Sequence, residues 1–434
     1  MKQLPKALLM ASVAAFVATG SVTLIQAARP ANAAEQKKEE SQKETRHLMS
    51  MSQAVYNIIN KANMAMEMKM YDEAIKLSQD VLKRKGLNAY EQVTAYQLIA
   101  YSQYYLGQTK TALENFEKII KIGDGVKGLP DGLVDGVKYN LATMYIQDGQ
   151  YDRGITMLKT WLASATNPAP DAYVLIGTAY AQKEDYKSAI PYFEKAIDVA
   201  KSQDKEPQQN WYQNLASMYL QLQQFKKAEP ILELMVSKWP TRDYLMNLAQ
   251  VYGMDKREKD MLGIIDVMYR KGLLKTGNEI IQLSQLWQIH DGPYRGAEIM
   301  KKGIDDGKVE KTAKNYEGLA NAYIAAAELP KAIPYLERAA SLSKDGDIYV
   351  RLGEAYVGDQ KWEKANTALD NAFKKGGLKN KSQAYYMQGI ALYNMDKLND
   401  AKRAFAQCRD DKGLGKSCAQ YLVVIRNKEK RKNG

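Results

Sequence analysis

The feature that most constrains this chain is a pattern of large and small apolar residues that occurs twice, 33 residues apart. The first copy is Tyr316, Leu319, Ala320, Tyr323, Leu329, Ala332, Leu336 and Ala339, and the second is Tyr349, Leu352, Gly353, Tyr356, Trp362, Ala365, Leu369 and Ala372. Steps of three and four residues place side chains on one face of a helix. Each copy therefore predicts a pair of helices, with Ala or Gly where the two helices approach each other closely.

A single helical hairpin cannot bury its apolar face, so hairpins of this kind must stack. The small residue of the first helix recurs at Ala62, Ala100, Ala142, Gly177, Ala216, Ala249, Ala320, Gly353 and Gly389. A divergent tenth hairpin is predicted around Ser284 to Ala297. The period and residue order resemble the tetratricopeptide repeat (TPR). This resemblance implies an all-α fold, a right-handed superhelical solenoid of about ten TPR helix–turn–helix repeats with a C-terminal capping helix.

The first 33 residues have the character of an export signal. Lys2 and Lys6 precede a moderately apolar run, and Ala31-Asn32-Ala33 supplies the small residues that signal peptidase requires. We therefore predict a cleavable signal peptide, cut after Ala33, and a periplasmic protein. The alternative is an uncleaved membrane anchor, because the apolar run approaches the length that spans a bilayer.

The rest of the chain divides into three predicted segments. Residues 34–50 form a charged flexible tether, since 35–46 contain no apolar residue. Residues 51–410 form the TPR array, and 411–434 a capping helix and a basic tail. Within that last segment we predict the helix over residues 417–426, where apolar residues are concentrated, and an irregular tail beyond it.

The composition offers little for catalysis. The two histidines, His47 and His290, lie in separate regions, and no Ser or Cys occurs in a nucleophile motif. We therefore predict that the protein is not an enzyme and uses no metal or cofactor. The net charge of +12 is spread over polar helix faces, without the basic and aromatic alternation of a single-strand nucleic-acid groove. No nucleic-acid partner is expected, and the oligomeric state is left open.

The only cysteines, Cys408 and Cys418, flank a polar loop near the C-terminus. In an oxidising compartment two cysteines this close are candidates for a disulfide, which would attach the capping helix to the last repeat. The alternative is a pair of buried free thiols that pack as small apolar residues.

The remaining place for function is the concave surface that the first helices are expected to line. Counted from the small residues, its outward positions carry tyrosines and side-chain amides, which suit an extended peptide. The predicted partner-binding residues are Tyr101, Tyr104, Tyr105, Tyr139, Gln147, Gln182, Gln213, Gln250, Asn321, Tyr386 and Tyr393. The alternative for each of them is an ordinary solvated helix residue.

Residues 290–378 and 138–162, with the turns GPYRGA (292–297) and KGGL (375–378), resemble the periplasmic TPR proteins that are encoded with TonB–ExbB–ExbD systems of gammaproteobacteria. The resemblance implies an accessory component of TonB-dependent energy transduction and uptake, for example of iron–siderophore complexes. It would act through protein contacts, with TonB, ExbB or ExbD as partners and the membrane reached only through them. A periplasmic adaptor for cell-wall or outer-membrane assembly, and a glycan-binding protein, remain alternatives with the same fold.

Overall fold

The computed structural model describes residues 48–432, and every secondary-structure element in that range is a helix. There are 21 of them, and the first twenty pair in chain order into ten hairpins. The helices are α1 (Gln53–Glu67), α2 (Tyr71–Leu82), α3 (Ala89–Tyr105), α4 (Thr109–Gly123), α5 (Leu133–Gln147), α6 (Tyr151–Ser164), α7 (Pro170–Gln182), α8 (Tyr186–Ser202), α9 (Gln209–Gln221), α10 (Phe225–Lys238), α11 (Arg242–Met254), α12 (Glu258–Arg270), α13 (Gly277–Ile289), α14 (Pro293–Asp305), α15 (Ala313–Ala325), α16 (Leu329–Leu342), α17 (Asp347–Gly358), α18 (Trp362–Lys375), α19 (Lys381–Asn394), α20 (Leu398–Cys408) and α21 (Gly415–Lys432). The predicted signal peptide and most of the predicted tether lie outside the described residues.

The turn inside each hairpin has the same construction in all ten cases. It is three residues long, and its middle residue has a positive φ. In the α15–α16 turn Ala327 has φ 58°, and the N–H of Glu328 donates to the carbonyl of Tyr323 at 2.8 Å. This is the Schellman arrangement, which satisfies carbonyls at the end of a helix. The middle residue is glycine only at Gly107 and Gly149, so the backbone hydrogen bonds set this turn even where the residue is not glycine.

The connections between successive hairpins vary in length instead. The connection from α10 to α11 has three residues, and the one from α4 to α5 has nine. In the sequence, glycines followed by leucine, as in Gly86-Leu87, Gly272-Leu273 and Gly376-Gly377-Leu378, predict helix stops, and these stops lie in the connections. Gly86, Gly272 and Gly376 all have positive φ. The uneven spacing of the repeats therefore comes partly from these connections, while the turns inside the hairpins keep a constant length.

The small residues let the two helices of a hairpin approach each other closely. Ala320 and Ala332 have no exposed surface. A Cβ atom added to Gly353 would lie 2.6 Å from Leu369, and one added to Gly389 would lie 2.6 Å from Phe405. Because real Cβ contacts are longer, these glycines are needed for the observed packing. The structure thus confirms that the pattern of small and large residues marks the contact between the two helices of a hairpin.

The divergent tenth hairpin follows the same plan. Ser284 on α13 occupies the position of the small residue, and its hydroxyl donates to the carbonyl of Gly296 on α14 at 2.7 Å. A Cβ on Gly296 would lie 2.5 Å from the carbonyl oxygen of Ser284. The helices are therefore as close here as elsewhere, although the sequence pattern is weak.

Contacts divide the chain into two units, with the boundary between Met235 and Val236 inside α10. Unit 1 has apolar cores within its stacked hairpins, one of which extends from Val93 to Tyr145. The largest core of unit 2 extends from Leu245 to Ala391 and is shared by successive hairpins. In each unit the core therefore runs along the stack from one hairpin to the next.

Helix α21 covers the last hairpin of unit 2. Tyr421 stacks on Phe405 at 4.6 Å between ring centroids, and Ile425 is fully buried. Cys408 and Cys418 are joined by a disulfide, with their Cα atoms 6.0 Å apart. The helix is longer than predicted, since it continues through the basic residues to Lys432. Lys428 and Glu429 form ion pairs with the preceding hairpin, and these contacts stabilise the helical conformation of the polar segment.

Candidate functional site

The predicted partner-binding residues all lie on the first helices of hairpins, on what we call the first-helix face. None of the eleven carries a charge. They differ in how much of each side chain is exposed and in which residues they contact. Seven of them lie in unit 1 and four in unit 2.

Tyr101 is not available to a partner, and the prediction that it points outward is wrong. Its side chain is only 4% exposed, and its ring meets Phe116 edge-on at 4.9 Å between centroids. The amide of Asn140, on the next hairpin, donates to its hydroxyl at 2.6 Å. Burial raises the pKa of Tyr101, and these contacts make it part of the core.

Tyr104 and Tyr105 form the accessible part of the aromatic group on unit 1. Tyr105 is 39% exposed, stacks on Tyr71 at 5.3 Å and meets Tyr104 at 5.9 Å between ring centroids. The hydroxyl of half-buried Tyr104 donates to the Oε1 atom of Gln147 on α5 at 2.9 Å. The structure thus brings two predicted tyrosines and one predicted glutamine together across two hairpins, and adds Tyr71, which sequence reasoning missed.

The other predicted positions of unit 1 differ in exposure. Tyr139 is half-buried beside Trp161, with ring centroids 5.1 Å apart, and burial raises its pKa to about 12. Gln182 is exposed at the end of α7, and Gln213 is half-buried on α9. These residues continue the uncharged lining along the first helices of unit 1.

In unit 2 most of the predicted residues are engaged within the protein. The Oδ1 atom of Asn321 accepts a hydrogen bond from Arg351, which also pairs with Glu317. Tyr386 and Tyr393 both meet Tyr421 of α21 edge-on, so the capping helix covers part of each ring. Among the predicted positions of unit 2, the half-buried Gln250 stands apart from this capped end.

Sequence reasoning missed a polar cluster that recurs where one hairpin meets the next. In each case an aromatic residue near the end of a first helix donates to a carboxylate on the preceding second helix. A cation also lies over the ring at Tyr145, Trp287, Tyr219 and Tyr356. Tyr145 donates to Glu117 with Arg153 4.2 Å from its ring centroid, and the buried Asp266 accepts from Trp287 with Arg295 at 4.5 Å. Similar donor–acceptor pairs are Tyr219–Glu194, Tyr323–Glu298 and Tyr356–Glu337. Their sequence separations range from 19 to 28 residues, so no fixed spacing signals them.

Clefts are present in both units. A cavity of about 510 Å³ in unit 1 is lined by α4, α5 and α6, including Ile120, Tyr145 and Met157. Its charged lining is already paired, since Lys138 lies 2.8 Å from Asp124 and Arg153 lies 2.7 Å from Glu117. A cavity of about 270 Å³ in unit 2 is lined by residues that include Tyr269 and Lys302. Neither cleft was foreseen from the sequence.

Two features are absent from the described residues. In residues 48–432 no group of three or more His, Cys, Asp or Glu side chains could hold a metal ion. No helix in the same range has both the length and the apolar character that crossing a membrane requires.

Comparison with known proteins supports the repeat assignment. Family models of the tetratricopeptide repeat match residues 168–234, 94–122 and 383–411. No curated protein matches the chain.

Similar solved structures are distant in sequence. One is a tetratricopeptide repeat protein from Parabacteroides merdae, with 14% identity, a TM-score of 0.37 and coverage of 70% of this chain and 100% of that one. MamA from Desulfovibrio magneticus RS-1 has 18% identity and a TM-score of 0.35, over 44% of this chain and 99% of that one. The C-terminal part of a TPR repeat-containing protein from Cytophaga hutchinsonii has 17% identity and a TM-score of 0.36, over 66% and 95%.

The helical hairpins of the described residues and the matched segments show the fold class of tetratricopeptide-repeat proteins. Proteins of this class are scaffolds that bind other proteins, and an array of stacked hairpins offers an extended surface for that purpose. The all-α repeat fold predicted from the sequence is confirmed.

Proposed function

We propose that this protein is an exported scaffold of the bacterial periplasm that serves as an accessory component of a TonB–ExbB–ExbD system. Support for export comes from the signal-like residues 1–33. Support for the TonB system comes from the resemblance of residues 290–378 and 138–162 to TPR proteins encoded with such systems. In this role the protein holds one or more of TonB, ExbB and ExbD and carries out no chemistry itself.

The observation that carries the scaffold proposal is the accessible tyrosine and amide cluster of unit 1, formed by Tyr71, Tyr104, Tyr105 and Gln147. Tyrosine rings supply flat apolar area at a small loss of conformational entropy. The Gln147 amide can both donate to and accept from a peptide backbone. Because the predicted lining is uncharged, it suits an extended, neutral segment of a partner better than an acidic or basic one.

In-cell crosslinking under iron limitation, followed by purification of the tagged protein, tests this proposal. Recovery of TonB, ExbB or ExbD is the expected result. The variant Tyr105→Ala should reduce that recovery several-fold, whereas Tyr294→Ala should not. Tyr294 is a matched control because it is a similarly exposed tyrosine, 44% against 39%, on a second helix.

The outcome also separates the alternatives. Recovery of wall-synthesis or outer-membrane assembly proteins, or of glycan strands, would replace the TonB assignment while leaving the scaffold intact. Equal recovery with wild type and Tyr105→Ala would exclude the tyrosine cluster as the binding surface.

Export is tested independently by mass spectrometry of the periplasmic fraction. A mature chain that begins at Ala34 is expected. A full-length chain found only with membranes would instead support the uncleaved anchor.

A further inference from the structure

Exposed methionines are concentrated at the end of α1 and in the turn that joins it to α2. Met64, Met68 and Met70 are 49%, 66% and 53% exposed. Methionine is usually a buried, gap-filling residue, so three exposed thioethers within seven residues need an explanation. We propose that Met64, Met68 and Met70 form a binding site for a soft monovalent metal ion, Cu(I).

The backbone brings these three side chains to one side of the turn. Met64 and Met68 are four residues apart on the helix, and the N–H of Met68 donates to the carbonyl of Met64 at 3.0 Å. Residues at this spacing lie one turn apart on the same face. The thioethers of Met64 and Met68 are therefore neighbours at the end of α1.

Met70 joins this pair because the chain reverses at Lys69. Lys69 has φ 60°, and the N–H of Met70 donates to the carbonyl of Ala65 at 2.8 Å. In this helix stop the residue after the left-handed position typically contacts the residues three or four from the helix end, here Ala65 and Met64. Met66 lies on the opposite side of α1, where it packs against the apolar cores, and is not part of the site.

The chemistry of three thioethers selects the ion. Thioether sulfur is a soft ligand that favours Cu(I), whereas Mg²⁺ and Ca²⁺ require oxygen. The ligands are neutral and need no deprotonation, so binding should vary little with pH. Residues 64–73 contain three carboxylates, Glu67, Asp72 and Glu73, against the single cation Lys69. This local negative balance offsets the positive charge of the bound ion.

Competition for Cu(I) tests the site directly. The purified full chain, kept in ascorbate so that the Cys408–Cys418 disulfide remains closed, is titrated with Cu(I) in the presence of the chelator bicinchoninate. One Cu(I) per chain is expected for wild type. The double variant Met68→Leu, Met70→Leu should lower the affinity at least tenfold, because leucine keeps the volume and removes the sulfur.

Met254→Leu is the matched control. Met254 is 58% exposed at the end of α11, before a turn of the same construction at Lys256, but it has no methionine four residues before it. This variant should bind Cu(I) like wild type. X-ray absorption of the loaded wild type should show a sulfur shell at the metal. Equal affinity for wild type and the double variant, or a shell of nitrogen and oxygen, would overturn the proposal, provided that circular dichroism shows both chains folded.

Discussion

At the scale of single residues, two tyrosines one helical turn apart have different roles. Tyr101 is inside the core and Tyr105 is on the surface, although both lie on α3. Tyr101 is enclosed because Asn140 of the next hairpin lies over its hydroxyl. That cover depends on how two hairpins are oriented, which the sequence of one hairpin does not determine.

The first prediction separates these tyrosines. Tyr101→Ala should lower the free energy of unfolding by about 3 kcal/mol or more, because it leaves a cavity in the core. Tyr105→Ala should change it by less than about 1 kcal/mol, because the ring is partly exposed. Urea denaturation followed by circular dichroism measures both. Equal effects would mean that the two rings are buried alike.

The second prediction concerns the hydrogen bond from Tyr145 to Glu117. This bond, with the Arg153 guanidinium, holds the pKa of Glu117 below its usual range. Tyr145→Phe should destabilise the protein by about 1 kcal/mol at pH 7, since the lost bond involves a charged acceptor that is partly solvated.

The pH dependence of that effect has a definite sign. A carboxylate with a lowered pKa in the folded state contributes stability above its unfolded pKa and loses it as the pH falls through the folded value. The difference between wild type and Tyr145→Phe should therefore shrink below about pH 4. Urea titrations from pH 7 to pH 3 test this, with Glu117→Gln as the second member of the cycle. A constant difference down to pH 3 would contradict it.

At the scale of elements, the turn inside each hairpin is held by backbone hydrogen bonds and does not require glycine. Eight of its ten left-handed positions carry residues other than glycine. A side chain in this conformation is strained. Glycine positions therefore could not predict the turns inside the hairpins. They did predict the helix stops between hairpins at Gly86, Gly272 and Gly376.

The third prediction uses that strain. Ala327→Gly should stabilise the protein by about 0.5–1 kcal/mol, since glycine adopts a positive φ without strain. Ala325→Gly, two residues earlier at the exposed end of α15, should destabilise it by up to about 1 kcal/mol, because glycine is a poor helix former. Thermal or urea unfolding compares the two. The same sign for both substitutions would exclude turn strain as the cause.

The fourth prediction concerns the disulfide that attaches α21. The double variant Cys408→Ser, Cys418→Ser should lose about 2–3 kcal/mol in the chain-entropy description of a short closed loop. The loss should be local, seen as faster amide hydrogen exchange in α20 and α21. Unchanged exchange there would show that packing of Tyr421 and Ile425 is enough to hold the helix.

At the scale of the whole molecule, the sequence predicted the class of fold far better than the surface that would bind a partner. Small residues such as Gly353 report on contacts inside one hairpin, which recur in every repeat. The outward positions depend on neighbouring hairpins and on α21, which covers parts of Tyr386 and Tyr393. Prediction from the sequence therefore failed for contacts between hairpins and with the capping helix, because these contacts do not repeat along the chain.

The fifth prediction follows from stacking within unit 1. Among the described residues, α1 and α2 form the first hairpin, whereas α5 and α6 lie between two others. In a repeat array stability is the sum of each repeat and its neighbour contacts. Amides of α1 and α2 should therefore exchange faster than those of α5. Uniform exchange across unit 1 would show that it opens as one cooperative block.

The constant turn and the variable connection have a consequence for how such a chain can change over generations. Within each unit, insertions and deletions are compatible with the array where one hairpin follows another, as the nine residues between α4 and α5 show. A single added residue in a three-residue turn would remove the bonds that end the first helix. Length differences among homologues should therefore fall in the connections between hairpins. A sequence alignment that places gaps inside a hairpin should be treated as incorrect.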